Sequence, residues 1–130
     1  DLPLDDNHHA AYAQSKLAIT MWSCQMAQNT NGPTVVSINP ASLLGSKMVQ
    51  EAFGIPGKDS GIGADILVRA ALSDEFKKGN ANGKYYDNDS ACFADPDHSV
   101  MDRKKCQAVV TAMEDVLEKL GFLTFPAVVC

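Results

Sequence analysis

Thr34-Val35-Val36-Ser37-Ile38-Asn39-Pro40 is the stretch on which the fold turns. Its first five residues are short and mostly β-branched, and breakers close it on both sides, Gly32-Pro33 before and Asn39-Pro40 after. A short run of this kind reads as a buried strand, and helical patterns on either side make it a parallel one. Upstream, His8 to about Gln28 is Ala-rich and free of Gly and Pro, and Asn29-Thr30-Asn31-Gly32-Pro33 stops it. That is a helix, with Asp5, Asp6 or Asn7 placed to cap its start. Leu17, Ile19, Met21, Trp22 and Met26 make it apolar on more than one side. Such a helix is buried twice, by its own sheet and by something further, for which oligomerisation is one candidate.

Downstream of the strand, Ala41 to Gly57 is looser and holds a short helix over Ser46–Phe53. Asp59 or Ser60 then opens a helix to about Leu72, with Ile62, Ile66, Leu67 and Ala70 on one face. Asp74 to Gly83 is polar and turn-rich, Lys84-Tyr85-Tyr86-Asp87 reads as a second short strand, and Cys92 to Val100 as loop. Asp102 caps a final helix to about Leu120, with Val109, Met113, Val116, Leu117 and Leu120 as its apolar stripe and Gly121 as its stop. The tail, Phe122 to Cys130, is apolar with no evident place to pack.

The fold class is therefore α/β. Two parallel strands cannot satisfy their own backbone groups or cover the apolar faces of four helices. More strands must come from elsewhere, so residues 1–130 read as one portion of a single domain. The acidic start, Asp1-Leu2-Pro3-Leu4-Asp5-Asp6, reads as a loop cut mid-protein and resembles neither a signal nor a transit peptide.

Composition narrows the function classes. A hydrophobic fraction of 45% with 21% charged residues is that of an ordinary globular protein. The net charge of -5 argues against a nucleic-acid partner, and Arg103-Lys104-Lys105 reads as a solvated helix face. No apolar stretch approaches the roughly 20 residues that span a bilayer, which argues against a membrane protein. Cys24, Cys92, Cys106 and Cys130 are scattered, with no ligand-like spacing to any His. They read as free thiols of a cytoplasmic protein rather than as a disulfide framework or a metal site.

Chemistry concentrates at Tyr12-Ala13-Gln14-Ser15-Lys16. A phenol and an ammonium four residues apart lie on one helix face, with Cβ atoms about 6 Å apart. A nearby cation favours phenolate, so Tyr12 is expected to titrate below the usual value of about 10. A phenol tuned in this way can give or take a proton at a carbonyl or alcohol oxygen.

Ala11-Tyr12-Ala13-Gln14-Ser15-Lys16-Leu17-Ala18 resembles the active-site helix of the short-chain dehydrogenase/reductase family. Asn39-Pro40-Ala41, directly after the strand, is similar to that family's Asn-Pro-Gly turn, and a lid-like region and a strand with Gly83-Lys84-Tyr85-Tyr86 follow in the family's order. The likeness covers roughly residues 5 to 90, and the string from Asn39 to Ser46 is similar to the retinol dehydrogenase and WW-domain oxidoreductase branch. The resemblance implies the C-terminal half of a Rossmann-like, doubly wound parallel sheet, with the N-terminal half absent. It implies NAD or NADP as cofactor and a small carbonyl or alcohol as substrate, with oligomerisation common among relatives. Tyr12 would be the catalytic acid/base, and Lys16 would bind the nicotinamide ribose and lower the pKa of Tyr12. Pro40 and the backbone of Ala41 and Ser42 would lie against the nicotinamide, and Ser46 would reach its amide or the pyrophosphate.

Two departures qualify the likeness. Ala41 stands where the family has Gly, the residue a positive φ favours, which suggests a different path for the loop. The family's Gly-rich phosphate loop, ribose selector, Asn-Asn-Ala-Gly segment and catalytic Ser all precede the Tyr and are not in this chain. An alternative function is thus an incompetent fragment, or a dehydrogenase-derived binding protein that kept the Tyr and Lys by descent. Leu43 to about Lys58 would form the substrate lid, with Gly45, Gly54 and Gly57 as hinge points. Gly61-Ile62-Gly63 is no dinucleotide loop, since no strand precedes it. Asp87-Asn88-Asp89 lacks the Gly and Glu of a calcium loop and reads as an acidic surface turn. His8-His9 reads as a surface pair at a helix start.

Overall fold

A computed structural model of the protein describes residues 6–122, with side chains described from Ala10 onward. The expectations for Asp5, Asp6, Asn7 and His8-His9, and for the tail beyond Phe122 with Cys130, lie outside what it describes. The described residues form a mixed α/β structure of five α-helices and one three-stranded mixed sheet. In order these are α1 (Asp6–Met26), β1 (Ser37–Asn39), α2 (Lys47–Phe53), α3 (Gly61–Leu72), α4 (Lys78–Ala81), β2 (Tyr85–Asp87), β3 (Cys92–Ala94) and α5 (Arg103–Lys119).

The sheet is centred on β2, which pairs parallel with β1 and antiparallel with β3. Strand β1 is shorter than the expected Thr34–Ile38. Val35 N–H donates to the Asn82 side chain rather than to a ladder partner, and regular pairing starts only at Ser37. Strand β3 and the 3₁₀ turn His98–Met101 both fall in the segment expected to be loop. A hairpin this short carries too few residues to display alternation. Among Asp74–Gly83, expected as turn, Phe76 and Ala81 are buried, in a 3₁₀ turn and in α4.

Parallel pairing leaves one edge of β1 open. Ser37 N–H donates to Lys84 O (3.0 Å), while Asn39 O accepts from Asn88 N–H (3.1 Å) and Val35 O from Gly83 N–H (2.8 Å). Odd-numbered residues therefore face β2, and the N–H and C=O groups of Val36 and Ile38 point the other way. They meet no partner among the described residues.

Alternation of side chains across the sheet splits the core in two. On one face Ile66, Phe76, Ala81 and Tyr86 form a buried cluster with Val36, Ile38, Ala70 and Phe93 against it. Phe76, Tyr86 and Phe93 meet in pairs, with ring centroids 5.1 to 5.4 Å apart. In the second cluster α1 meets α5 through Met21, Val100 and Cys106, flanked by Leu17, Cys24 and Val109. Gln25 Nε2 donates to Gln107 Oε1 across that contact at 2.7 Å.

Local chemistry sets the helix ends. Ser46 caps α2 by accepting from Val49 N–H, and Asp102 caps α5 by accepting from Lys104 and Lys105 N–H. Gly63 lets α3 close on the turn after β1. A Cβ there would stand 2.6 Å from Leu44 Cδ1, too close for any other residue without displacement. Two apolar faces differ from expectation. Of the expected apolar face of α3, Ile66 is buried and Ala70 partly so, with Ile62 and Leu67 exposed; on α5 burial falls on Cys106 and Val110 rather than on Val116, Leu117 or Leu120. Both helices thus leave apolar side chains exposed.

Among the described residues no helix is long and apolar enough to cross a membrane. Cys24, Cys92 and Cys106 are free thiols.

Phe76→Ala removes the ring that both other aromatics contact, and is expected to destabilise the protein by about 3–5 kcal/mol. Leu72→Ala, at a position 79% exposed, is expected to change stability by no more than about 0.5 kcal/mol. Chemical denaturation of both variants checks the contrast.

Candidate functional site

Tyr12 and Lys16 project from the first half of α1, one turn apart. Tyr12 is 49% exposed, and Lys16 Nζ stands over its ring, 5.2 Å from the centroid. The ammonium thus approaches the π face of Tyr12, an attraction in its own right. The hydroxyls of α1 turn inward. Ser15 Oγ donates to Tyr12 O (2.7 Å), Thr20 Oγ1 to Lys16 O (3.0 Å) and Ser23 Oγ to Ile19 O (2.9 Å). Back-bonding of this kind occupies their protons. The freer polar groups that α1 offers its surroundings are Tyr12, Gln14 and Lys16.

These side chains open on a groove of about 1170 Å³ between α1, the edge of β1, the turn after it and α2. Tyr12, Lys16, Pro40, Ala41, Ser42 and Ser46 all line it. Its remaining wall is largely apolar, with Leu17, Val36, Ile38, Leu43, Val49 and Phe53 among the lining residues. Two of the six are already engaged. Ser46 Oγ caps α2, and both the N–H and the hydroxyl of Ser42 donate to Asp89 Oδ2, at 2.8 and 2.6 Å.

The turn after β1 carries two non-glycine residues at positive φ. Ala41 has φ 137° and Leu43 φ 58°, both unusual for residues with a Cβ. A residue with a Cβ holds such a conformation only at a cost in strain.

What holds that path is a set of residues that sequence reading dismissed. Asn39 Nδ2 donates to Asp87 Oδ1 (2.8 Å) and to Asp89 Oδ2 (3.1 Å), and Asn39 Oδ1 accepts from Ala41 N–H (3.3 Å). Asn88 Nδ2 donates to Pro40 O at 3.0 Å. Lys58 Nζ reaches Asp89 Oδ1 at 2.9 Å, and Lys58 N–H donates to Leu43 O at 2.7 Å. Gly57 makes that approach possible, since a Cβ there would lie 2.7 Å from Gly45 Cα. The expected acidic surface turn is there, with Asp89 exposed, and it also serves as a hydrogen-bonding centre. Its sequence signal was the strand register, which sets Asn39 opposite Asp87, and register cannot be read from a lone chain.

The electrostatics follow from these bonds. Donation by the Ser42 hydroxyl, with Lys58 and the Ser42 N–H adding to it, holds the Asp89 carboxyl well below the ordinary carboxylate range. Ser90 and then Asn39 lower Asp87 in the same way. Tyr85, a second phenol in the groove, moves up, chiefly through burial and further through Asp87 and Asp89. It stays a protonated phenol near neutrality.

Among the described residues no group of His, Cys, Asp and Glu could hold a metal ion. No protein-family model, curated protein or solved structure matches the chain.

A depressed folded-state pKa gives stability that is present above the unfolded value of about 3.9 and is lost as pH falls through the lower folded one. Parent protein and Asp89→Asn are therefore expected to differ in thermal midpoint by a constant amount from pH 5 to 8. The gap should close progressively below about pH 4. Melting curves across that range check it.

Proposed function

We propose that the chain is the catalytic and substrate-side portion of an NAD(P)-dependent oxidoreductase of the short-chain dehydrogenase/reductase type. In this reading it is the C-terminal half of a Rossmann-like sheet. The observation that carries the proposal is convergence. Tyr12 and Lys16, on one helix, share a single groove with Pro40, Ala41, Ser42 and Ser46, from a turn and a helix start further along the chain. The open edge of β1 beside them supports the second part, because an unpaired strand edge is a template for a further strand.

The residues present suit one end of a dinucleotide. An ammonium, a phenol and an apolar wall would take the nicotinamide and its ribose, while nothing in this sequence resembles a glycine-rich phosphate cradle. When bound, the nicotinamide supplies or accepts the hydride. Lys16 holds a positive charge beside Tyr12 and binds the ribose. Tyr12 delivers its phenolic proton to a carbonyl oxygen during reduction, or receives one from an alcohol during oxidation. The apolar wall from Leu43 to Phe53 excludes water and orients a largely apolar substrate. The phosphate end and the catalytic serine come from the partner half, and the complete protein is read as cytoplasmic.

A second reading follows from the same missing cradle. The chain alone does not turn over, and serves as a fragment or as a binding protein descended from a dehydrogenase. Both readings expect no tight cofactor binding by the 130-residue chain alone, so calorimetry with NADH and NADPH tests the need for a partner half, and tight binding would overturn it.

In the complete protein Tyr12→Phe is expected to lower kcat by about 10²–10⁴-fold with little change in cofactor affinity. Steady-state kinetics combined with cofactor titration checks this, and near-normal turnover would sink the proposal.

A further inference from the structure

We propose that the Asp87-Asn88-Asp89 turn is a clamp that forces the Asn39–Ser42 wall of the groove into a conformation it would not hold unaided, with Asp89 as the positioning residue. The wall is strained by its own composition. Ala41 and Leu43, two residues apart, both carry positive φ, a conformation that a residue with a Cβ holds only under strain. Strain of this kind persists only where neighbours over-determine the backbone.

The over-determination is visible bond by bond. Asp89 accepts from the Ser42 amide, the Ser42 hydroxyl, the Asn39 amide group and the Lys58 ammonium. Three of these donors belong to the wall itself. The fourth, Lys58, also donates its backbone N–H to Leu43 O. Asn88 holds Pro40 O, and Asp87 takes the other hydrogen bond from Asn39. Bonds of charged acceptors to amide and hydroxyl donors are the strong kind. Both strained residues thus lie between groups fixed from one side by the hairpin and from the other by Lys58.

None of Asp87, Asn88 or Asp89 lines the groove, whereas Pro40, Ala41 and Ser42 do. The clamp therefore acts through the wall and touches no ligand. It sets how far the wall stands from Tyr12, and the relevance of that distance to a reaction rests on the dehydrogenase reading. The clamp itself does not.

The test is a thermodynamic cycle of Ala41→Gly and Asp89→Asn. Glycine relieves strain only where the clamp imposes it. In the parent, Ala41→Gly is expected to raise the thermal midpoint by about 3–5 °C; in the Asp89→Asn background it should raise it by less than about a third of that. Equal increments in both backgrounds would overturn the proposal, because an Asp89 that merely adds stability leaves the cycle additive. Should Asp89→Asn fail to melt cooperatively, Lys58→Met takes its place in the same cycle under the same criterion.

Amide exchange gives a second readout. In Asp89→Asn the Ser42 N–H is expected to speed up at least about tenfold more than the core amides of Ile66 and Tyr86, which report global opening. Ser42 exchange that changes only in step with the core would count against the clamp. Both measurements need neither cofactor nor substrate. A failed clamp leaves the Tyr12 proposal standing, and an inactive Tyr12 leaves the clamp standing.

Discussion

The parallel pairing of β1 with β2 is the constraint on which the rest depends. It joins Ser37 to Tyr85 and Asn39 to Asp87, residues brought together from opposite ends of the intervening helices. In this register Tyr86 points into the aromatic cluster, and Tyr85 points to the groove. A slip of one residue would exchange the two faces. It would also part Asn39 from Asp87 and leave the turn after β1 without its anchor. Core, groove and hairpin are thus set by three pairs of residues.

The groove places two phenols in contrasting surroundings. Tyr85 stands among carboxylates and is partly buried, conditions that oppose its ionisation. Tyr12 stands half exposed beneath the ammonium of Lys16. Of the two, Tyr12 is the phenol on which the proposed dehydrogenase reading rests. The carboxylates that oppose ionisation of Tyr85 also hold the backbone of the opposite wall. The same charges therefore act on both sides of the turn, on its backbone and on Tyr85.

Much of this was legible in the sequence, and the rest was hidden for identifiable reasons. The long helices α1, α3 and α5 were readable because each has many turns, a polar or glycine-marked end, and in α5 an Asp at its cap. The strand after Gly32-Pro33 was readable from its β-branched run, although its ladder starts at Ser37. Strand β3 was not, because Cys92-Phe93-Ala94 is too short for a period to emerge. Phe76 went unremarked inside a polar stretch, yet it is buried at the centre of the aromatic cluster. Which face of α5 is covered also escaped, since a stripe of apolar residues shows that a face exists and not which neighbour reaches it. The Tyr12 and Lys16 spacing was visible as a pattern. The carboxylates that stabilise the turn after β1 are distant in sequence from it, and only the fold brings them near.

The open edge of β1 has a material consequence. Exposed strand edges are the usual starting points for uncontrolled stacking between molecules. Here the free edge offers the backbone groups of only Val36 and Ile38 before Pro40, which has no N–H to give. An edge that short gives little hold to an indiscriminate strand. A fibril therefore finds little to grow from along this side of β1.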